Sequence, residues 1–166
     1  MKRRLIKTIE SIVEMSVLLG LFLTFAIMAI RADAMEVETY DEVIEEAAEA
    51  YNLCPELIHA IIERESSYRP NASNGNCVGL MQINTKYHKG RMEKLGMSDM
   101  YDPKTNIWVG CDYIAELFEK YGEVVEVLMV YNMGGSGADL FERGHYSKYA
   151  LGIVERTEEL ERKNGK

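Results

Sequence analysis

The sequence has no excess of basic charge. Its 166 residues include 19 Lys and Arg against 27 Asp and Glu, which gives a formal net charge of −8 at pH 7. Proteins that bind nucleic acid or anionic surfaces through general electrostatics carry basic patches or stripes. The composition therefore excludes a nucleic-acid footprint and a general attraction to anionic polymers. A substrate of this protein has to be held by local contacts.

Histidine and cysteine are also scarce, and no internal repeat or low-complexity run is present. The three histidines stand far apart and the three cysteines form no CxxC pair. Because structural zinc sites need closely spaced Cys and His ligands, we predict no metal, and we predict no cofactor. In an exported protein, Cys54, Cys77 and Cys111 allow one disulfide and leave one thiol over, and the sequence does not choose the pair.

One long apolar run lies near the N terminus. Four basic residues among the first seven precede "VLLGLFLTFAIMAI" at 17–30, and "ADA" at 32–34 has small residues in A-x-A spacing. This pattern is typical of a secretory signal peptide and is short for a membrane span. The alternative is a retained anchor, because an apolar stretch over 12–30 is interrupted by few polar residues. Both interpretations place the rest of the chain outside the cytoplasm, in the extracellular space, the cell wall or at the outer face of the membrane.

Residues 35–166 are expected to form a single domain. Removing residues 1–34, which hold five basic and three acidic residues, takes the net charge from −8 to −10. Apolar periodicity, helix caps and the positions of proline and glycine predict a mainly α fold with at most a small β-hairpin between Asn71 and Asn84. The predicted helices are Asp41–Tyr51, Pro55–Ser66, a weak one around Arg91–Leu95, Pro103–Tyr121 between its cap Asp102 and its terminator Gly122, Val124–Tyr131 and Tyr146–Leu160.

The helix beginning at Pro55 carries a carboxylate in its apolar stripe. At roughly 100° per residue, Glu65 falls among the isoleucines and leucine of that stripe, whereas Glu63 lies on the opposite, solvated face with His59 and Glu56. A buried carboxylate is costly unless it is paired or neutral. It serves either as a structural partner in a salt bridge or as a general acid, because an apolar site and the negative end of a helix both favour the protonated form.

Four motifs occur in a fixed order around this residue. They are "ERESSYRPNA", "GLMQIN", "DPKTNIWVG" and "VYNMGG". Together they resemble the catalytic domain of soluble lytic transglycosylases, relatives of goose-type lysozyme, over roughly residues 50–154. The resemblance implies a lysozyme-like α domain whose groove binds the glycan strands of bacterial peptidoglycan. It also implies cleavage of the β-1,4 bond between N-acetylmuramic acid and N-acetylglucosamine, with 1,6-anhydro-muramic acid ends as products.

By the same resemblance, Glu65 is the single catalytic acid and base. The expected substrate-binding residues are Ser66, Ser73, Met81, Gln82, Tyr131 and Asn132, with Met81 at the groove floor. The chain departs from the family pattern at Asn84 and Thr85, where many members have a methionine or similar residue and a proline, so the sugar contacts at that end of the groove are open.

Two other functions remain open at this stage. A lysozyme-type hydrolase on the same fold would need a second carboxylate, for which Asp99 is the candidate left after Asp102 is assigned to a helix cap and Asp112 to a position off the core stripe of its helix. A catalytically silent protein would only bind peptidoglycan within an envelope-spanning assembly. Exo or endo cutting, the preferred stem peptide and the biological role are not determined by these residues.

Overall fold

The computed structural model describes the backbone of residues 2–166 and the side chains of residues 15–26, 28 and 40–166. The chain divides into two units, Met1–Thr39 and Tyr40–Lys166. Helix α1 spans Lys2–Tyr51 and therefore extends well before the predicted start at Asp41. Within the second unit its buried side chains are Tyr40, Ile44, Ala47 and Ala48.

In the first unit, the side chains described between Met15 and Phe25 are exposed. Among the residues that the structure describes, no helix has an apolar stretch long enough to cross a membrane. Much of the predicted signal peptide or anchor, including the small residues at 32–34, lies outside the described side chains. Both interpretations of this segment stay predictions.

The second unit is mainly α, as predicted. Six further helices follow α1 along the chain: α2 (Pro55–Ser66), α3 (Thr85–Lys94), α4 (Pro103–Tyr121), α5 (Val124–Met133), α6 (Gly135–Glu142) and α7 (Lys148–Lys163). Proline opens α2 and α4, and the Asp102 carboxylate caps α4 by accepting from the Thr105 N–H at 2.8 Å. These local signals explain why the bounds of α2 and α4 agree with the prediction.

A small antiparallel sheet lies between α2 and α3. Its strands are β1 (Ser73–Asn74), β2 (Cys77–Val78) and β3 (Ile83–Asn84), in the order β1-β2-β3. Asn74 pairs with Cys77 across a turn in which Gly75 has φ +64°, and Val78 pairs with Ile83. The predicted hairpin is thus present, and β3 adds a third strand to it.

The core is built mainly from buried faces of α1, α2, α4, α5 and α7. Ile58, Ile61 and Ile62 of α2 are fully buried, which confirms the predicted apolar stripe. Helix α2 packs against α7, and α5 packs against α4, α6 and α7. Since α2 ends at Ser66, this packing fixes the position of Glu65 at the C-terminal turn of a rigid element.

Helix α6 is not among the predicted helices, and it contains Gly135 and Gly137. The reason for Gly137 is a close approach between two helices. A Cβ at Gly137 would collide with the backbone of Met129 and Val130 on α5, so only glycine allows α6 to lie against α5 there.

The prediction that Glu56 lies on a solvated face is wrong. Glu56 is 2% exposed and accepts hydrogen bonds from Lys166 Nζ at 2.7 Å, Asn164 Nδ2 at 3.0 Å and the Cys54 thiol at 3.1 Å. Burial alone would raise the pKa of this carboxyl, but the three donors lower it to about 2. The C-terminal end of α7 covers this face of α2, and helical phasing alone could not reveal that contact.

The disulfide allowed by the sequence is not formed, since all three cysteines are free thiols. They belong to separate environments. Cys111 is buried in the core on α4, Cys77 lies on β2, and the Cys54 thiol donates to the carboxylates of Glu56 and Glu161. Burial is the main reason that the pKa of Cys54 rises to about 11, so this thiol is protonated beside its two carboxylates.

Candidate active site

Glu65 lies in the last turn of α2 and is half-buried. The helix ends directly after it because Ser67 and Tyr68 both adopt left-handed backbone conformations, with φ +51° and +60°. The Ser67 N–H closes the helix by donating to the Glu63 carbonyl at 3.1 Å. Two consecutive non-glycine residues in this region are uncommon, and such outliers often occur at functional sites.

Glu65 and Glu63 differ in environment as predicted. Burial raises the pKa of the Glu65 carboxyl, and a hydrogen bond from Tyr149 and the Arg64 cation offset only part of that shift. Glu63 is 44% exposed at its side chain and accepts from Arg156 Nε at 2.8 Å. Glu65 therefore keeps its proton to a higher pH than an ordinary glutamate does, which is what a general acid needs.

Tyr149 is the residue of this site that the sequence did not reveal. Its hydroxyl donates to Oε1 of Glu65, and burial raises its own pKa, so it stays a neutral donor. Ser147 caps α7 by accepting from the Ala150 N–H at 3.1 Å, which puts Tyr149 in the first turn of that helix. No local signal in the sequence links two residues that lie 84 positions apart.

The "GLMQIN" segment forms a tight turn beside this helix end. Gly79 has φ +80°, and a Cβ there would collide with the side chain of Asn106, so the position requires glycine. Gln82 also has a positive φ, +49°, and its side-chain amide donates to the carbonyls of Ala72 and Gly79 at 3.1 and 3.0 Å. The Gln82 side chain thus holds the loop that follows Glu65.

The Asn106 side chain of α4 holds the same turn through hydrogen bonds to backbone groups. It is fully buried, its Oδ1 accepts from the Met81 N–H at 2.7 Å, and its Nδ2 donates to the carbonyls of Val78 and Met100 at 2.9 Å. A single side chain therefore satisfies three buried backbone groups. This explains physically why the first turn of α4, in the motif "DPKTNIWVG", contains an asparagine.

Tyr131 of α5 also contacts this turn. Its hydroxyl donates to the Met81 carbonyl at 2.7 Å. Its pKa is raised well above the ordinary value by burial and, to a smaller extent, by the charges of Tyr149 and Glu65. Tyr131 thus holds the backbone of Met81, and its role in substrate binding stays a prediction.

The other predicted site residues fall into two groups. Ser66 and Met81 are buried, and the Ser66 hydroxyl donates to the Ile62 carbonyl at 3.1 Å. Ser73 and Asn132 are exposed. A cavity of about 440 Å³ brings Gln82, Tyr131 and Asn132 together. A larger cavity of about 610 Å³ is lined by Tyr51, Cys54 and Glu161 among others, and none of the predicted site residues lines it.

The three aspartates considered as a second carboxylate are engaged elsewhere. Asp102 caps α4, Asp112 pairs with Arg91, and Asp99 accepts from the Tyr101 N–H at 2.9 Å. Among the described side chains, the groups that shift the pKa of Glu65 are Tyr149 and Arg64, and neither is a carboxylate.

Comparison with known families agrees with the motifs. The family described as "Transglycosylase SLT domain" matches residues 42–148. This chain belongs to that family. The match includes α2 with Glu65, the three strands and the turn that follow it, and helices α3, α4 and α5, which line the cavity. It ends at the residue before Tyr149.

Several individual proteins resemble the chain over part of their length. A transglycosylase of Enterobacteria phage PRD1 is 34% identical over 59% of this chain and 36% of its own. Invasion protein IagB of Salmonella typhimurium is 32% identical over 62% of this chain and 69% of its own. Membrane-bound lytic murein transglycosylase E of Buchnera aphidicola is 34% identical over 71% of this chain and 60% of its own. The chain thus spans less than two thirds of two of these relatives.

The fold also has solved counterparts. An inactive mutant of lytic transglycosylase Slt from Pseudomonas aeruginosa superposes with a TM-score of 0.66 at 18% sequence identity. The similarity covers 75% of this chain and 24% of that protein. At this identity the similarity concerns the fold, and it confirms the predicted lysozyme-like transglycosylase architecture.

Proposed function

We propose that this protein is a peptidoglycan lytic transglycosylase in which Glu65 is both the catalytic acid and the catalytic base. The observation that carries the proposal is the half-buried Glu65 carboxyl at the end of α2, which has a raised pKa and a hydrogen bond from Tyr149. The substrate is the β-1,4-linked glycan strand of peptidoglycan.

In the first step the protonated Glu65 donates to the glycosidic oxygen between N-acetylmuramic acid and N-acetylglucosamine. The C1–O bond breaks, and positive charge develops at the anomeric carbon of the muramic acid. With one carboxyl group at the site, the 2-acetamido group of the substrate stabilises this charge in place of a protein nucleophile. Tyr149 steadies the carboxylate that remains, because a hydrogen bond to the ionised form favours that form.

In the second step the Glu65 carboxylate removes the proton of the muramic acid 6-hydroxyl. Oxygen 6 then bonds to the anomeric carbon, which produces the 1,6-anhydro end and returns Glu65 to its protonated state. No water is consumed and the proton count balances over the cycle. A carboxyl group whose pKa is raised toward the pH at which the enzyme works can act as the acid in the first step and as the base in the second.

The remaining site residues divide into supporting and contacting roles. Ser66, Met81 and Gln82 act from within the fold by fixing the helix end and the turn beside Glu65. Ser73 and Asn132 present exposed polar side chains to the substrate.

A hydrolytic reaction on the same fold would need a group that positions water opposite Glu65. The engagement of Asp99, Asp102 and Asp112 in other contacts disfavours that function.

We also propose that the catalytic domain acts outside the cytoplasm. The apolar run at 17–30 and the basic residues before it support export, either by a cleaved signal peptide or with residues 12–30 retained as an anchor. The names of two relatives, an invasion protein and a membrane-bound murein transglycosylase, suit a role at the cell envelope. Local opening of the wall for an envelope-spanning assembly is compatible with so small a domain.

The test is the turnover of purified peptidoglycan by Glu65→Gln beside Glu63→Gln. These carboxylates are two residues apart on one helix, so they form a matched pair. We expect Glu65→Gln to be inactive and Glu63→Gln to retain nearly full activity. Activity of Glu65→Gln above a few per cent would contradict the mechanism, and a wild-type protein that binds peptidoglycan without turnover would instead identify a silent binding protein.

A further inference from the structure

Helix α3 carries an aromatic side chain that the fold does not use. None of the residues of α3 is buried, and Tyr87 is 74% exposed, the highest value among the large apolar side chains that the structure describes. The Lys86 ammonium lies 5.7 Å from the centroid of its ring. An exposed aromatic ring at the mouth of a cavity is a common feature of binding sites.

A series of rings runs from α3 toward the catalytic site. The ring of His88 lies 4.3 Å from that of Tyr113 on α4, and the ring of Tyr113 lies 5.5 Å from that of Tyr131. Tyr131 in turn donates to the Met81 carbonyl at the turn beside Glu65. The series of rings thus ends at the turn that carries Met81 and Gln82, two of the predicted substrate-binding residues.

Helix α3 is held in place beneath these rings. Arg91 pairs with Asp112 and Glu116 on α4 and lies 5.5 Å from the centre of the Tyr113 ring. The Asn84 side chain caps the helix by accepting from the Lys86 N–H at 3.1 Å. Because both ends of α3 are anchored in this way, Tyr87 and His88 have fixed positions over the cavity.

The cavity that these rings line contains no charged side chain. Its volume is about 440 Å³, within the range of ligand pockets of about 300–1,000 Å³. The side chains of Gln82, Asn84 and Asn132 also line it. In a protein of net charge −8, the other described cavities each include acidic residues. This lining favours a neutral ligand with both apolar faces and polar groups over a charged peptide.

We propose that Tyr87 and His88 form the aromatic wall of a subsite for an N-acetylated sugar ring of the glycan strand, and that Tyr87 determines how tightly the strand is held. The proposal rests on the proposed function and names the part of the substrate that this end of the groove binds. The C–H face of a pyranose carries slight positive charge and is attracted to the negative face of an aromatic ring. The Asn132 amide, which is exposed and lines the same cavity, is suited to the hydroxyl and acetamido groups of the same sugar.

This subsite occupies the position where the sequence departs from the family pattern. At Asn84 and Thr85 the chain lacks the methionine and proline of many members, and Asn84 instead begins α3 as its cap. The structure thus links that departure to a helix whose next residues supply the aromatic wall.

The experiment measures binding without turnover. In the Glu65→Gln background, the affinity for the tetrasaccharide of β-1,4-linked N-acetylglucosamine is measured by calorimetry for Tyr87→Ala, Tyr87→Phe and the control Tyr101→Ala. Tyr101 is 44% exposed and does not line the cavity, so it is a matched surface tyrosine. We expect Tyr87→Ala to weaken binding about tenfold, which is the loss typical of one well-packed aromatic contact. Tyr87→Phe and Tyr101→Ala should bind as the background does.

Two results would overturn the proposal. One is an affinity of Tyr87→Ala equal to that of the background, and the other is no measurable binding of the tetrasaccharide by the background protein. Failure of the proposed function has a different signature, because it would appear as a wild-type protein that releases no anhydro ends from peptidoglycan. His88→Ala beside His88→Phe provides a second comparison, in which only the loss of the ring should weaken binding.

Discussion

Replacing Tyr149 with phenylalanine tests the electrostatics of the proposed site. The Tyr149 hydroxyl donates to Glu65, and this bond favours the ionised carboxylate, so it lowers the pKa that burial has raised. Removing the hydroxyl must therefore raise the pKa of Glu65 further. A hydrogen bond to a charged group contributes about 1.5–3 kcal/mol, and each pKa unit corresponds to about 1.4 kcal/mol. We expect an upward shift of about one unit, since water replaces part of the lost bond in a half-buried site.

The assay is the pH dependence of kcat/KM for the release of soluble fragments from peptidoglycan. The free enzyme needs protonated Glu65, so its activity declines as the pH rises through the pKa of this group. In Tyr149→Phe this decline should move to higher pH, and activity at the optimum should fall by about tenfold or more because the carboxyl is less well oriented. Tyr146→Phe is the control, since Tyr146 precedes the same helix and is 56% exposed. An unmoved or downward-shifted decline in Tyr149→Phe would refute the assigned role of the hydrogen bond.

Three further predictions concern stability. The pKa of buried Glu56 is lowered from 4.5 to about 2, so the stabilisation from this carboxylate is present above pH 4.5 and is lost as the pH falls toward 2. The free energy of unfolding of the wild type, measured with urea, should therefore fall by about 3 kcal/mol over that interval. The free energy of unfolding of Glu56→Gln should fall clearly less. Asn106→Ala should cost about 3 kcal/mol in the same assay, because three buried hydrogen bonds disappear, and a loss below about 1 kcal/mol would contradict their importance. Reducing agent should leave the thermal midpoint unchanged, and thiol titration of the unfolded protein should find three thiols; a lower midpoint on reduction would instead reveal a disulfide.

Local signals account for what the sequence predicted well. Helix α2 begins at a proline and its isoleucines form a single stripe, which also identified the position of Glu65. Helix α4 has an aspartate cap, a proline at its first position and a glycine at its end. Caps, first-position prolines and apolar stripes involve residues that are close together in the sequence, so the sequence alone is enough to recognise them.

Contacts between distant segments account for what it missed. The burial of Glu56 depends on the end of α7, and the hydrogen bond to Glu65 comes from Tyr149, also on α7. Helix α6 was not predicted, and Gly137 within it is required by close packing against α5. In each case the deciding partner lies in another helix, and neither periodicity nor capping indicates which surfaces will meet.

The most direct test of the central claim is digestion of peptidoglycan by the wild-type protein in water enriched in oxygen-18, followed by mass spectrometry of the released muropeptides. The proposed mechanism uses the 6-hydroxyl of muramic acid and no water. It predicts anhydro ends that are one water lighter than reducing ends and carry no heavy oxygen. Reducing ends that contain oxygen-18 would contradict it, because they would show that a water molecule attacks the anomeric carbon beside Glu65.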